Sequence, residues 1–137
     1  MTSPLERLAT PGGALAAEAP DASEIAGLLR SGGARLADAR NAALSPESRF
    51  DLAYNAAHAL CLAALRRQGY RPKHRYIVFQ VLPHSLGLGA DVWRVLDKAH
   101  QIRNLAEYEG HTDVDPRLLD DLLIACAAVV AALGDLT

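Results

Sequence analysis

Residues 45–69 read Ser45-Pro46-Glu47-Ser48-Arg49-Phe50-Asp51-Leu52-Ala53-Tyr54-Asn55-Ala56-Ala57-His58-Ala59-Leu60-Cys61-Leu62-Ala63-Ala64-Leu65-Arg66-Arg67-Gln68-Gly69. Ser45 is a natural cap, proline is tolerated at the first helical position, and Glu47 suits the positive end of a helix dipole. Phe50, Ala53, Tyr54, Ala57, Leu60, Cys61, Ala64 and Leu65 then recur at three-and-four spacing, the period of one helix face, until Gly69 stops the run. A helix of about Pro46 to Gln68 with one apolar side demands other helices to cover it.

The flanking sequence supplies them. Upstream, Asp21 or Ser23 caps a helix containing Ile25, Leu28, Leu29, Leu36 and Ala39. The adjacent Gly32 and Gly33 in its middle imply a bend or the close approach of a neighbour. Downstream, Tyr76 to Leu82 is rich in β-branched and aromatic residues. No other run alternates as a strand would, and a lone strand leaves its backbone groups unpaired, so this segment is expected to be helical, with Pro83 ending or kinking it. Gly87, Gly89 and Asp91 announce a helix from about Ala90 to Glu109, and Asp115-Pro116 opens a last one ending at Gly134. The expectation is an all-α, up-and-down compact bundle of about five helices spanning residues 21–137. It is preceded by a loose arm, residues 1–20, broken by Pro4, Pro11, Gly12, Gly13 and Pro20.

Composition bounds the function. The chain has 137 residues, half of them apolar, with 14 Lys plus Arg against 16 Asp plus Glu and a net charge of −2. That is one ordinary domain able to bury a core without disulfide staples. It has no overall field for nucleic acid or an anionic membrane. Cys61 and Cys126 lie in apolar runs and read as small buried hydrophobes. The first ten residues lack the apolar core of an export signal, and Leu122 to Leu133 is too short to span a bilayer. A cytoplasmic setting without membrane contact is therefore expected. His74, His84 and His111 have no partner at metal-ligand spacing, so no metal is expected, and no cofactor motif is read. The basic cluster Arg66, Arg67, Arg71, Lys73, His74 and Arg75 is read as a solvated helix end, with phosphate contact as its alternative.

Two polar edges carry the candidate chemistry. On a wheel centred at Ala99, Val92, Val95, Leu96, Ile102 and Ala106 fall within about 60° of the core direction, and Arg103 falls inside the same arc. A guanidinium there must find a partner or a cavity. His100, Asn104 and Glu107 lie beside it, and His100–Asn104 and Arg103–Glu107 are both four-residue pairs. On the other long helix, Asp51, Asn55 and His58 form a matching edge. The plain reading is an ion pair of Arg103 with Glu107 and half-exposed boundary histidines. The functional reading sets Arg103 as a fixed cation toward phosphate or carboxylate, with a histidine as the proton-exchanging group. Whether the two edges meet is beyond what a wheel fixes.

The run Arg103-Asn104-Leu105-Ala106-Glu107-Tyr108, near the end of a penultimate helix, resembles the signature of the HEPN family of small helical bundles often found as dimers. The family pattern is an arginine, a polar residue commonly asparagine, a few more residues, and a histidine. Arg103 and Asn104 match it. Tyr108 stands where the nearest-spaced histidine would be, and His111 lies further along. Ser45 to His58 is similar to the family's first long helix, and the resemblance covers roughly residues 22 to 133. It implies a homodimeric, non-catalytic binding or accessory module for a nucleotide, RNA or protein partner, linked to a toxin–antitoxin or nucleotidyltransferase system. Arg103, Asn104, Glu107, Tyr108, Asp51 and Asn55 would be its binding residues. The alternative is a metal-independent ribonuclease in which Arg103 acts with His100, His58 or His111 in place of the motif histidine. A third reading is a purely structural helical protein.

Overall fold

In the computed structural model, which describes residues 3–110 and 114–134, local chemistry sets the helix ends where the sequence placed them. Ser45 Oγ accepts from the Ser48 N–H at 3.1 Å and opens α3, Pro46–Arg67. The Asp21 carboxylate accepts from Ser23 and Glu24 and opens α2, Ala22–Ala39. The helix α6, Ala90–Glu109, ends on Gly110, whose φ of 81° is left-handed and suits glycine. The last long helix is α7, Pro116–Gly134.

α2 and α3 pack as an antiparallel hairpin, shown by three rungs: Arg49 to the Ala39 carbonyl, Gly32 on Leu60, and Arg66 to Glu24. Gly32 marks a close approach and not a bend. A Cβ there would lie 2.8 Å from Leu60 Cγ and 3.3 Å from the Ala56 carbonyl oxygen, whereas one on Gly33 would meet nothing within 4 Å. α3 is the central element, also packed on α6 and α7. Its Tyr54, Cys61 and Leu65 share the core with Leu96 and Ala99 of α6 and with Leu122, Cys126 and Val129 of α7. Both cysteines are buried free thiols, and burial pushes Cys126 up to about 12. No helix among the described residues is long and apolar enough to cross a membrane.

The fold is a mostly helical bundle, with three departures from expectation. The apolar segment after residue 76 is helical but divides at Val81 into α4, Ile77–Gln80, and α5, Leu82–Ser85, with Pro83 in the first turn of α5. The described residues before 20 are docked where a loose arm was expected. α1, Pro4–Leu8, buries Leu5, and β1, Leu15–Ala17, buries Leu15. β1 pairs antiparallel with β2, Tyr70–Pro72, matching Leu15 with Pro72 and Ala17 with Tyr70. Three-residue strands are too short to print an alternation in the sequence.

The third departure concerns charge. Arg66 is not a solvated helix end: its side chain is 1 % exposed. Its Nε donates to Glu24 at 2.7 Å, and its other nitrogens donate to the carbonyls of Glu18, Ala19 and Tyr70. Arg71 donates to the carboxylates of both Glu18 and Glu24. The carboxylates come from the end of the N-terminal segment and the first turn of α2, which fold back onto the end of α3 and clasp it.

Candidate functional site

The polar edges of α3 and α6 meet. The helices run antiparallel there, so Asp51 faces Arg103 and Tyr54 faces His100 one turn along. Arg103, 26 % exposed, is the pivot: its Nη1 lies 3.1 Å from the Glu107 carboxylate and its Nε 3.6 Å from Asp51. The guanidinium carbon stands 5.0 Å from the centre of the Tyr54 ring, a cation–π arrangement that fixes it without further charge. Nε has no hydrogen-bond acceptor, since 3.6 Å to Asp51 exceeds bonding distance. Arg103 thus completes the bundle edge while keeping one buried donor open toward Asp51.

Beside it lies an open cleft of about 480 Å³ lined by Glu47, Ser48, Phe50, Asp51, Arg103, Ala106, Glu107 and Gly110. Three carboxylates and one guanidinium line it, so its formal charge is negative. That field repels phosphate and suits a basic or neutral polar group.

Next to the cleft, Tyr54 organises a hydrogen-bonded layer missed in the sequence, where it was counted only as an apolar core position. Its hydroxyl lies 2.8 Å from His100 Nδ1, and the Asn104 amide nitrogen lies 3.1 Å from His100 Nε2. Both ring nitrogens of His100 are therefore engaged. Arg75, from the turn after β2, donates to the Tyr54 hydroxyl at 3.4 Å and to Asn55 Oδ1 at 3.1 Å. Burial holds His100 below the ordinary histidine range, with the positive charges of Arg75 and Arg103 acting the same way against Asp97 and Glu107. His58, one turn further along α3, is half-buried in an edge-on contact with Phe79, and its Nε2 has no partner. Burial first, then the charge of Arg75, lowers it to about 4, with the Arg75 backbone pulling the other way. Both imidazoles are neutral at pH 7.

Of the residues named from sequence, Asp51, Arg103 and Glu107 share the cleft, and Asn55, His100 and Asn104 join the Tyr54 layer. Tyr108 does not take part. It is 94 % exposed, because five residues along a helix from Arg103 turn its side chain away from that edge. His111 falls outside the described residues. Among the described residues, no group of three His, Cys, Asp or Glu is placed to hold a metal ion. The helpful signal for Tyr54 was available: it sits between Asp51, Asn55 and His58 at helical spacing.

No family model matches the chain, and neither a curated protein nor a solved structure matches it significantly.

Proposed function

We propose that this protein is a cytoplasmic, dimeric HEPN-like module that binds and does not cut. It would act beside a partner of the toxin–antitoxin or nucleotidyltransferase kind. The observation that carries this reading is the state of the would-be catalytic pair. Arg103 faces Asp51 and Glu107, and His100 has both ring nitrogens engaged by Tyr54 and Asn104. Phosphodiester cleavage needs a cation free to meet developing charge and a base with a free lone pair within reach of the hydroxyl. Here the charge of Arg103 is matched by two carboxylates, and both nitrogens of the His100 ring are engaged.

A protein partner is supported by the outward surface. α7 carries no charge from Leu122 to Gly134, yet Ile124 and Val130 are exposed on it, and Leu105 and Tyr108 are exposed on α6. Apolar residues left exposed on two helices packed together, α6 and α7, suit contact with a partner better than water.

The ribonuclease reading retains one specific support, the neutral His58 whose Nε2 has no partner. Incubating a mixed structured and single-stranded RNA pool without divalent metal separates the two. The module reading predicts no cleavage by the wild type or by Arg103→Ala. Cleavage by the wild type that disappears in Arg103→Ala overturns it.

A further inference from the structure

The charge that Arg103 presents is matched by carboxylates, but a second cation in the same layer is not. Arg75 is held by neutral contacts only: the Tyr54 hydroxyl at 3.4 Å, Asn55 Oδ1 at 3.1 Å, and the Tyr54 ring, whose centre is 5.7 Å from its guanidinium carbon. Among the described residues no carboxylate pairs with Arg75 or with Lys73 two positions before it. This contrasts with Arg66, Arg71 and Arg103, each of which faces two carboxylates. A hydroxyl and an amide fix a guanidinium in place without cancelling its charge. Its Nη1 has no protein acceptor among the described residues, and the planar fork is suited to an oxyanion.

The neighbourhood selects among oxyanions. Tyr76, next in sequence, is partly exposed. Its ring lies 5.9 Å from His74 with 13° between the planes, and 5.8 Å from His100. Tyr76 and its stacked neighbour His74 are both exposed, so the pair offers a planar ring an aromatic surface, which a bare phosphate does not use.

We infer that Arg75 and Tyr76 form a nucleotide site, the phosphate meeting Arg75 with Lys73 alongside and the base stacking on Tyr76. This names a ligand class for the binding module proposed above and rests on that reading. It moves the anion contact off Arg103. The same chemistry is offered by a free nucleotide and by single-stranded RNA.

Calorimetric titration at low salt with AMP, inorganic phosphate and a short oligoadenylate tests it, using wild type, Arg75→Gln, Tyr76→Leu and Arg30→Gln. Arg30 is an exposed cation on α2 whose loss removes the same charge elsewhere. Thermal melts confirm that each variant folds. AMP should bind the wild type, and Arg75→Gln should weaken it by about tenfold or more, the size of one charge-assisted contact. Tyr76→Leu should weaken AMP by roughly fivefold or more through lost stacking and leave phosphate unchanged. Arg30→Gln should change neither. Oligoadenylate binding much tighter than AMP identifies RNA as the source, and equal affinity identifies the free nucleotide.

Absence of AMP binding, or equal weakening by Arg75→Gln and Arg30→Gln, overturns the inference. A gel of the titrated oligoadenylate keeps the two readings apart. Intact and unbound oligoadenylate with no AMP binding removes the nucleotide site and leaves the non-cutting module with a protein partner. Cleaved oligoadenylate removes the non-cutting reading, and the site is then judged on the uncleavable AMP alone.

Discussion

Arg66→Met is expected to lower the unfolding free energy by about 3 kcal/mol, a large share of the 5–15 kcal/mol typical of a domain. The side chain is almost fully buried and donates to three backbone carbonyls, of Glu18, Ala19 and Tyr70, besides pairing with Glu24 and Glu18. Glu18 and Glu24 keep Arg71 when Arg66 is removed, and both are partly open to water, so the ion pairs themselves account for little of the loss. The carbonyls decide the magnitude, at about 1 kcal/mol for each acceptor left without a donor. Urea denaturation measures the effect. Amide exchange in Leu15–Ala17 should quicken at the same time, because Glu18 and Ala19, which directly follow that strand, hold its end on the clasp. A loss below about 1 kcal/mol would mean that water replaces the guanidinium at little cost.

Acid should destabilise the protein well before its carboxylates titrate. His58 is lowered to about 4 in the fold from its ordinary value of 6.5, so below that value the unfolded chain binds a proton that the folded chain refuses. Its contribution is present in full above pH 6.5 and is lost as the pH falls toward about 4. The total is about 3 kcal/mol across that interval. His100, also lowered, acts in the same direction. Glu18 and Glu24 are held below their ordinary 4.5 mainly by hydrogen bonds from Arg71, so their loss comes at lower pH. His58→Phe keeps an aromatic ring against Phe79 and gives up only the contact with the Arg75 backbone, since Nε2 has no partner, so its stability is compared with the wild type as a slope against pH. Melting temperatures from pH 7.5 to 4.5 should fall steeply in the wild type and much less in His58→Phe. Parallel curves would show that His58 titrates normally.

What the sequence disclosed was what neighbouring residues decide. The Ser45 cap with Pro46 and the Asp21 cap are each settled within one turn of chain, and the helices they open begin where expected. The two polar edges were also legible, since a helix period fixes directions. Their meeting was not, because it depends on how α3 and α6 pack.

The harder cases each rest on distant partners. Arg66 sits beside Arg67 and looks like a surface cation, and the carboxylates that bury it lie 42 and 48 residues upstream. The N-terminal segment looks loose because Pro and Gly outnumber its anchors, yet Leu5 and Leu15 suffice once β2 offers an edge. Tyr54 was hidden by its own amphipathic character: the ring belongs to the core and the hydroxyl to the polar layer. Arg75 was absorbed into a run of basic residues. What sets it apart from Arg66 and Arg71 is that a hydroxyl, an amide and a ring hold it in place of carboxylates.

The account turns on Arg103 being neutralised inside the bundle, and that charge can be weighed directly. A cation kept for a ligand at the expense of the fold is expected to leave the protein as stable or more stable when removed. One that completes the fold leaves it weaker. The Glu107 pair is exposed and contributes a few tenths of a kcal/mol, and the Tyr54 contact about 0.5–1 kcal/mol. Urea denaturation of Arg103→Gln is therefore predicted to show a loss of about 1 kcal/mol. That loss should shrink when Arg103→Gln is made in an Asp51→Asn, Glu107→Gln background. Unchanged or increased stability of Arg103→Gln would contradict the account and return Arg103 to the role of a cation awaiting an anion.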